Sequence, residues 1–166
     1  MSKHYYIAIE GIDGSGKTTL VNLLGKLLTT KYPDREILLY REPGGSSLGV
    51  TLRSIAIDAS HYSSGCRGLA ISLDRAMMLQ EKVIPALERG AIVLSDRCFL
   101  STLVYQSYAE FLPLNSIIAL CDLAIQDVVP DSILWIDTPV NIAMSDRKST
   151  RLNSSHRNTS RMPSSA

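Results

Sequence analysis

The 166-residue sequence predicts an α/β fold, in which a parallel β-sheet lies between two layers of helices. Three observations support this prediction. Short apolar runs alternate with longer segments of helical periodicity, glycine or proline separates most of them, and a glycine-rich segment joins the first run to the first helix. Strands that alternate with helices pair in parallel, because each helix carries the chain back across the sheet. The length fits a single domain with one sizeable core.

The first half of the chain supplies two predicted strands and two predicted helices. The apolar run 5–9 predicts a buried strand, and the run 37–40 predicts a second one. A loop over 41–46 leads to a helix that ends near residue 58, and the polar segment 59–68 is predicted to be a loop. Between the two strands, helical spacing predicts one inward stripe of leucines: Leu20, Leu23, Leu24, Leu27 and Leu28.

In the second half, a long helix is predicted over 69–89. Pro85 lacks the backbone N–H of a regular helix, so it is expected to bend this helix or to reset its last turn. Its predicted inward residues are Leu73, Ala76, Met77, Val83, Ile84 and Leu87. The predicted elements that follow are a strand over 91–94, helices over 100–109 and 114–126, a strand over 133–136 and a helix after Pro139.

The glycine-rich segment 11–18 matches the pattern G-x-x-x-x-G-K-[ST] throughout, and it lies between a strand and an amphipathic helix. Glycines let the backbone wrap closely round phosphate groups, and the following helix adds its positive end. The predicted binding residues for the phosphates of ATP are Gly11, Ile12, Asp13, Gly14, Ser15, Gly16, Lys17, Thr18 and Thr19. Lys17 supplies a cation and the Thr18 hydroxyl a ligand for Mg²⁺. The fold class is therefore a P-loop NTPase three-layer sandwich.

Further along the chain, polar residues stand where a substrate crevice is expected. Asp96 ends the third predicted strand, a position suited to holding Mg²⁺ through water. Arg41, Arg75 and Arg97 lie beside predicted strand ends or loops, and their guanidinium forks suit a monophosphate. Taken singly, Asp74–Arg75 also fits a pair on a helix surface, and Arg41–Glu42 fits a solvated loop.

Six segments together resemble the thymidylate kinase family, in the order and at the spacing of that family: 13–19, 41–45, 74–76, 84–90, 96–97 and 101–106. The resemblance covers about residues 5–145. It implies transfer of the γ-phosphoryl group of ATP to dTMP, which gives dTDP, with Mg²⁺ as the metal and a homodimer as the assembly. A GTPase is a weaker alternative, because no Asn-Lys-x-Asp segment is present to recognise guanine.

The resemblance also implies roles for individual residues. The catalytic residues would be Asp13, Lys17 and Arg97, and the metal residues Thr18 and Asp96. The dTMP-binding residues would be Arg41, Ile71, Arg75, Arg97, Thr102, Tyr105 and Gln106. Ile71 departs from the family, which commonly has a phenylalanine there to stack on thymine. Another deoxynucleoside or nucleoside monophosphate kinase therefore stays open as an alternative, as does a non-catalytic P-loop remnant.

The composition limits the cellular compartment and the classes of partner that are expected. Cys66, Cys98 and Cys121 are far apart and odd in number, which predicts neither a disulfide framework nor a metal site and fits a cytoplasmic protein. No apolar stretch reaches the ~20 residues of a membrane helix. Residues 1–145 hold 12 basic and 15 acidic residues, a net charge of −3. This balance gives no electrostatic case for a nucleic-acid partner.

The segment 146–166 differs abruptly in composition, being rich in serine, arginine and asparagine. Residues 146–156 read like the translation of a sequencing-library adapter. We therefore expect residues 1–145 to be an incomplete kinase core and 146–166 to be a non-native, disordered tail. The resemblance is to bacterial-type members, whose P-loop lacks arginine and whose later lid supplies one. In the family, a helix of the form Ala-x-x-Arg leads into this lid, and Asp146 falls where its arginine should be. Slow turnover is therefore expected of this chain.

Overall fold

The computed structural model describes residues 5–145, and within them four parallel strands form one sheet in the order β2-β3-β1-β4. The central pair is in register at Ile7 and Leu94, and Leu94 also pairs with Leu39 on the other side. The strands are β1 (Tyr5–Glu10), β2 (Ile37–Arg41), β3 (Ile92–Asp96) and β4 (Ser132–Trp135). The predicted parallel sheet is confirmed.

Helices connect these strands in the predicted alternation. They are α1 (Lys17–Lys31), α2 (Gly49–Ile57), α3 (Ser64–Met78), α4 (Ile84–Glu88), α5 (Phe99–Thr102) and α6 (Leu114–Ile125). Two π-helical segments, Leu79–Val83 and Leu103–Ala109, extend α3 and α5, and residues 140–145 are helical. None of the described helices is both long enough and apolar enough to span a membrane.

The core has two parts, one on each face of the sheet, which confirms the three-layer architecture. On one face, Tyr6 and Val93 pack against Met78, Leu79 and Val83 from the end of α3 and the π-helical segment. On the other face the cluster consists of Ile9, Val21, Ile92 and Leu94, with Leu20, Leu24 and Leu28 packed against it. Successive side chains of a strand point to opposite faces, so β1 and β3 contribute to both parts.

The inward stripe of α1 is narrower than predicted. Leu23 and Leu27 are each 59% exposed, so their predicted burial is wrong. The buried face of α1 is centred instead on Val21 and Gly25. A Cβ on Gly25 would lie 2.7 Å from a methyl carbon of Leu39, so the missing side chain allows α1 to lie close to β2. A pattern of apolar residues does not identify a glycine as part of the contact face, which explains why the buried face of α1 differs from the predicted one.

Two further corrections concern α3. The segment 64–68, predicted to be a loop, is its first turn, and Ser63 caps it by accepting a hydrogen bond from the Cys66 N–H. Leu73, predicted to point inward, is 49% exposed, whereas Asp74 and Arg75 are buried. The interpretation of Asp74–Arg75 as a helix-surface pair is therefore wrong. Their burial is possible because partners in the loop after β2 satisfy their charges.

Before Pro85 the regular helix is interrupted by a π-helical segment, Leu79–Val83, and α-helical geometry resumes with α4 at Ile84. Proline offers no N–H to the carbonyl one turn before it, and a π-helical turn is a common way to accommodate the lost bond. The remaining predicted strands and helices lie within a few residues of their predicted bounds. The hypothesis of a non-native segment over 146–166 falls outside the described residues and stays a prediction.

Candidate active site

The phosphate-binding segment forms a tight turn between β1 and α1. Gly14 and Gly16 have φ angles of 85° and 91°, a left-handed conformation that glycine adopts without a steric penalty. The turn closes with a hydrogen bond of 3.2 Å from the Ser15 N–H to the Ile12 carbonyl. The buried Ser15 hydroxyl has no hydrogen-bond partner among the described residues. α1 begins at Lys17, so its N-terminal N–H groups lie at this turn.

Lys17 is buried at the base of the turn, and its Nζ donates a hydrogen bond of 2.6 Å to the Ile12 carbonyl. Burial lowers the pKa of Lys17, and the nearby guanidinium of Arg97 lowers it further, while the carboxylates of Asp96 and Asp13 oppose both effects. An anion placed at this turn would raise the pKa of Lys17, because it stabilises the charged form.

Gly14 also fixes the distance between the turn and the helical residues 140–145. A Cβ on Gly14 would lie 2.1 Å from the carbonyl oxygen of Ala143, which is a contact with backbone. Ala143 itself is fully buried. Only glycine permits this approach, so the requirement for glycine at position 14 has both a conformational and a packing cause.

Thr18 and Asp96 meet beside the P-loop, where the Thr18 hydroxyl donates a hydrogen bond to the Asp96 carboxylate. The second carboxylate oxygen of Asp96, Oδ1, is buried and without a hydrogen-bond partner in the described part of the chain. Oxygen ligands of this kind suit Mg²⁺, which prefers one or two protein oxygens together with water and phosphate oxygens. Within residues 5–145, no group of three or more His, Cys, Asp or Glu side chains is placed so that it could hold a metal ion by itself. The donor set present therefore fits Mg²⁺ held jointly with phosphates.

A cleft of about 220 Å³ opens next to the P-loop, at the carboxyl ends of β2 and β3. Ligands of open parallel sheets bind at this edge. The structure brings all eight residues predicted for phosphoryl transfer to the acceptor or for acceptor binding into the lining of this cleft: Asp13, Arg41, Ile71, Arg75, Arg97, Thr102, Tyr105 and Gln106. Lys17, the remaining predicted catalytic residue, lies in the adjacent turn.

Arg75 reaches the cleft from α3 and is held from two sides. Its Nε donates to Glu42 over 2.7 Å, and its Nη2 donates to the Thr102 hydroxyl over 2.9 Å. Burial acts to lower the pKa of Arg75, but the Glu42 carboxylate more than offsets it, so the pKa is raised. The third nitrogen, Nη1, is buried without a partner among the described residues. The interpretation of Arg41–Glu42 as a solvated loop is wrong for Glu42, which is buried.

Arg97 follows β3 in an unusual backbone conformation, with a φ angle of 82°. Its backbone N–H donates to the Ile9 carbonyl over 2.9 Å. The guanidinium donates to the Ser101 hydroxyl over 2.7 Å and to the Asp13 carboxylate, and it lies 5.3 Å from the centre of the Tyr105 ring. A non-glycine residue in the left-handed region persists only where its surroundings hold it, and such residues are common at functional sites.

Glu10 holds the turn that carries Arg97, and sequence reasoning did not single it out. Its carboxylate accepts hydrogen bonds of 2.8 Å from the Cys98 N–H, 3.2 Å from the Ser101 N–H and 2.8 Å from the Ser101 hydroxyl. Ser101 in turn accepts from Arg97. The signal in the sequence was an acidic residue at the end of an apolar strand, directly before the P-loop.

Asp74 and Arg53 were also missed. The Asp74 carboxylate accepts hydrogen bonds from the backbone N–H groups of Gly44, Gly45 and Ser46, and it thereby fixes the loop after β2. Arg53 lines the cleft and donates to the Pro43 carbonyl over 2.6 Å. A charged residue on the otherwise buried face of a predicted helix was the available signal for Asp74. Arg53 gave no such signal.

Comparison with known proteins agrees with this geometry. The family model described as thymidylate kinase matches residues 9–161. Thymidylate kinase of Thermosipho africanus is 38% identical over 148 residues, which are 89% of this chain and 73% of that protein. The enzyme of Prochlorococcus marinus strain NATL2A is 37% identical, over 90% of this chain and 74% of that protein.

A solved structure, thymidylate kinase from Ehrlichia chaffeensis, superposes with a TM-score of 0.76 at 32% identity and covers 94% of this chain and 89% of its own. A match at this level of identity, over nearly the whole chain, indicates a shared family as well as a shared fold. Sequence, topology and the residues that meet in the cleft therefore agree, and this chain belongs to the thymidylate kinase family.

Proposed function

We propose that this protein transfers the γ-phosphoryl group of ATP to dTMP and releases ADP and dTDP. The observation that carries the proposal is the cleft itself, where the predicted acceptor residues converge beside a P-loop. Phosphoryl transfer requires positioning and neutralisation of charge rather than a covalent nucleophile, and this arrangement supplies both.

On the donor side, backbone N–H groups of the turn 11–16 and of the first turn of α1 bind the phosphates of ATP. Lys17 places its ammonium group between the turn and the cleft, where charge develops on the transferred group. Thr18 and Asp96 would hold Mg²⁺, which would supply positive charge against the phosphates. The buried, unpartnered oxygen of Asp96 supports this role.

On the acceptor side, Arg97 binds the phosphate of dTMP, and Asp13 keeps its guanidinium directed at the P-loop. Arg41, at the end of β2, adds a second cation at the same edge. Arg75 and Thr102 lie deeper in the cleft and bind the base, with Ile71 packing against its face. Tyr105, stacked near Arg97, closes against the sugar and disfavours a 2′-hydroxyl group.

The test is an acceptor panel of dTMP, dUMP, dCMP, dGMP and thymidine, assayed with γ-labelled ATP and Mg²⁺. We expect label in dTDP above all other products. Label predominantly in another nucleotide would assign the chain to a different monophosphate kinase. Absence of both phosphoryl transfer and nucleotide binding would identify a non-catalytic remnant. Lys17→Met should abolish transfer, and Lys26→Met, an exposed lysine of the same helix, should not change it. The absolute rate also tests the expectation of slow turnover.

We further propose that the protein is a cytoplasmic homodimer. Three adjacent helices carry exposed apolar side chains, since α3 packs against both α2 and α6. These side chains are Val50, Ile57, Leu69, Leu73, Leu114 and Ile118. A patch of this kind on neighbouring helices marks a protein interface. Sedimentation equilibrium of the wild type and of Leu73→Glu decides the point: the wild type should be dimeric and the variant monomeric.

A further inference from the structure

The acceptor cleft contains a row of polar side chains that includes residues beyond the predicted site. Gln106, only 3% exposed, and Glu110 both line the cleft and lie one helical turn apart. Behind them, Arg67 from α3 forms an ion pair with Glu110, with 2.9 Å between Arg67 Nη2 and Glu110 Oε2. Both partners of this pair are largely buried. An ion pair in such a place fixes the position of the carboxylate.

The hydrogen bond between Gln106 and Glu110 determines which way the Gln106 amide faces. Its Nε2 donates to Glu110 Oε1 over 3.3 Å. An ionised carboxylate only accepts hydrogen bonds, so the amide nitrogen of Gln106 must face Glu110 and the carbonyl oxygen must face away. That oxygen, Oε1, is buried and has no hydrogen-bond partner among residues 5–145.

Arg75 Nη1, a donor, is another buried polar atom that has no hydrogen-bond partner in the described part of the chain. Arg75 and Gln106 both line the cleft and are linked through Thr102, which accepts from Arg75 and lies one turn before Gln106. The residues that line the cleft therefore include a fixed donor, Arg75 Nη1, and a fixed acceptor, Gln106 Oε1, while Glu110 Oε2 faces Arg67 in the ion pair. Buried groups of this kind carry a free-energy penalty until a ligand satisfies them, and they discriminate strongly against ligands that do not.

Pyrimidine bases differ in this pattern at one edge. Thymine and uracil present a carbonyl at C4 and an N–H at N3, which match a donor and an acceptor. Cytosine presents an amino group at C4 and a bare nitrogen at N3, which places donor against donor and acceptor against acceptor. The fixed charge of Arg75 prevents it from switching to an acceptor.

We propose that Arg67 and Glu110 act as specificity-determining positioning residues: they hold the Gln106 amide so that the cleft selects bases with an N–H beside a carbonyl and rejects cytosine. This inference rests on the proposed function, because it assumes that the cleft binds the acceptor base. It extends the acceptor site by two residues that position Gln106.

The experiment uses two ligands of the same shape, dTMP and 5-methyl-dCMP, with dissociation constants measured by calorimetry in the absence of ATP. We expect the wild type to prefer dTMP by at least about 100-fold. Glu110→Gln frees the Gln106 amide to turn over, because the new side chain both donates and accepts. Its preference should fall about 10-fold, through tighter binding of 5-methyl-dCMP as well as weaker binding of dTMP.

The matched control is Glu36→Gln, the same substitution in an exposed pair with Arg89, far from the cleft, which should keep the preference unchanged. Circular dichroism verifies folding. If Glu110→Gln does not fold, Gln106→Met decides: it should weaken dTMP binding and leave 5-methyl-dCMP binding nearly unchanged. A wild-type preference that survives in Glu110→Gln, or in Gln106→Met in that event, overturns the inference and leaves the proposed function intact. Failure of the wild type to bind either nucleotide removes both.

Discussion

Arg97 and Asp13 form an ion pair across the entrance of the cleft, although 84 positions separate them in the sequence. Asp13 belongs to the P-loop, and Arg97 belongs to the turn after β3, so the pair joins the donor half of the site to the acceptor half. The pairing of β1 with β3 makes this contact possible, because Ile9 lies opposite Asp96 in the sheet. The two halves are therefore positioned by one strand register.

The first prediction concerns the fork of Arg97. Arg97→Lys keeps the positive charge but cannot bond to Asp13, Ser101 and a phosphate at the same time. We expect kcat/KM for dTMP to fall by about 100-fold or more, with the loss in both kcat and the affinity for dTMP. Steady-state kinetics and calorimetry provide the measurement. Arg89→Lys, in an exposed pair with Glu36, is the control, and comparable kinetics for both variants would contradict the assigned role.

A second prediction concerns Asp74 and the loop after β2. Asp74→Ala removes the buried acceptor of backbone N–H groups at Gly44, Gly45 and Ser46. We expect the free energy of unfolding to fall by about 3 kcal/mol, because buried donors are left unsatisfied. Urea unfolding followed by circular dichroism measures it.

The control for Asp74 is the exposed carboxylate of Glu81, which bonds the same loop at the Ser47 N–H and hydroxyl. Glu81→Ala should lower the free energy of unfolding much less than Asp74→Ala does, since water replaces the lost partner. Equal losses for the two variants would show that burial of Asp74 contributes nothing beyond its hydrogen bonds.

The third prediction concerns the aliphatic residue at the base-binding end of the cleft. Ile71 lines the cleft and lacks a π-face on which a base can stack. Ile71→Phe should therefore tighten dTMP binding roughly 2- to 10-fold, the value of one aromatic contact. Ile71→Leu, which changes shape but not chemistry, is the control. Weaker binding by Ile71→Phe would mean that the cleft is packed too tightly for a ring at this position.

A fourth prediction uses the cysteines. Burial raises the pKa of the Cys98 thiol to about 12 and also raises the pKa of Cys121, whereas Cys66 is exposed. A raised pKa leaves less thiolate at pH 8 than a free cysteine has, and thiolate is the reactive form. We expect one fast-reacting thiol with a disulfide reagent at pH 8 in the native protein. Cys66→Ser should abolish the fast phase, and its persistence would place a second thiol at the surface.

The sequence predicted most of the fold because its signals were local. The alternation of apolar runs with helical patterns predicted the parallel sheet, which the structure confirms. Errors arose where a tertiary contact outweighed a local pattern. Gly25 lies on the contact face of α1 in place of Leu23, and polar residues lie on the inner face of α3 in place of Leu73. The pattern of apolar residues registers neither case.

In the cleft, too, some features were predicted from the sequence and others were not. The chemical types of the candidate residues were readable from the sequence, and Arg41, Arg75 and Arg97 all line the cleft. Their roles in binding dTMP stay predictions. Glu10, Glu42 and Asp74 bind no ligand in our proposal but hold the residues and loops that do. Glu42 and Asp74 lie in segments that carry the family resemblance, but nothing in their spacing showed that their role is to hold other residues in place.

By itself, the sequence determined the phosphate-binding turn, since glycines at fixed positions before a lysine and a helix are sufficient to form it. It also determined the family, through several segments that occur in one order. Only the tertiary structure decided which side of each helix is buried, which carboxylates orient the arginines and which way the Gln106 amide faces. These choices depend on partners that are distant in the sequence. The folded sheet brings the partners together and removes water from them, and only then does a buried polar group require a partner.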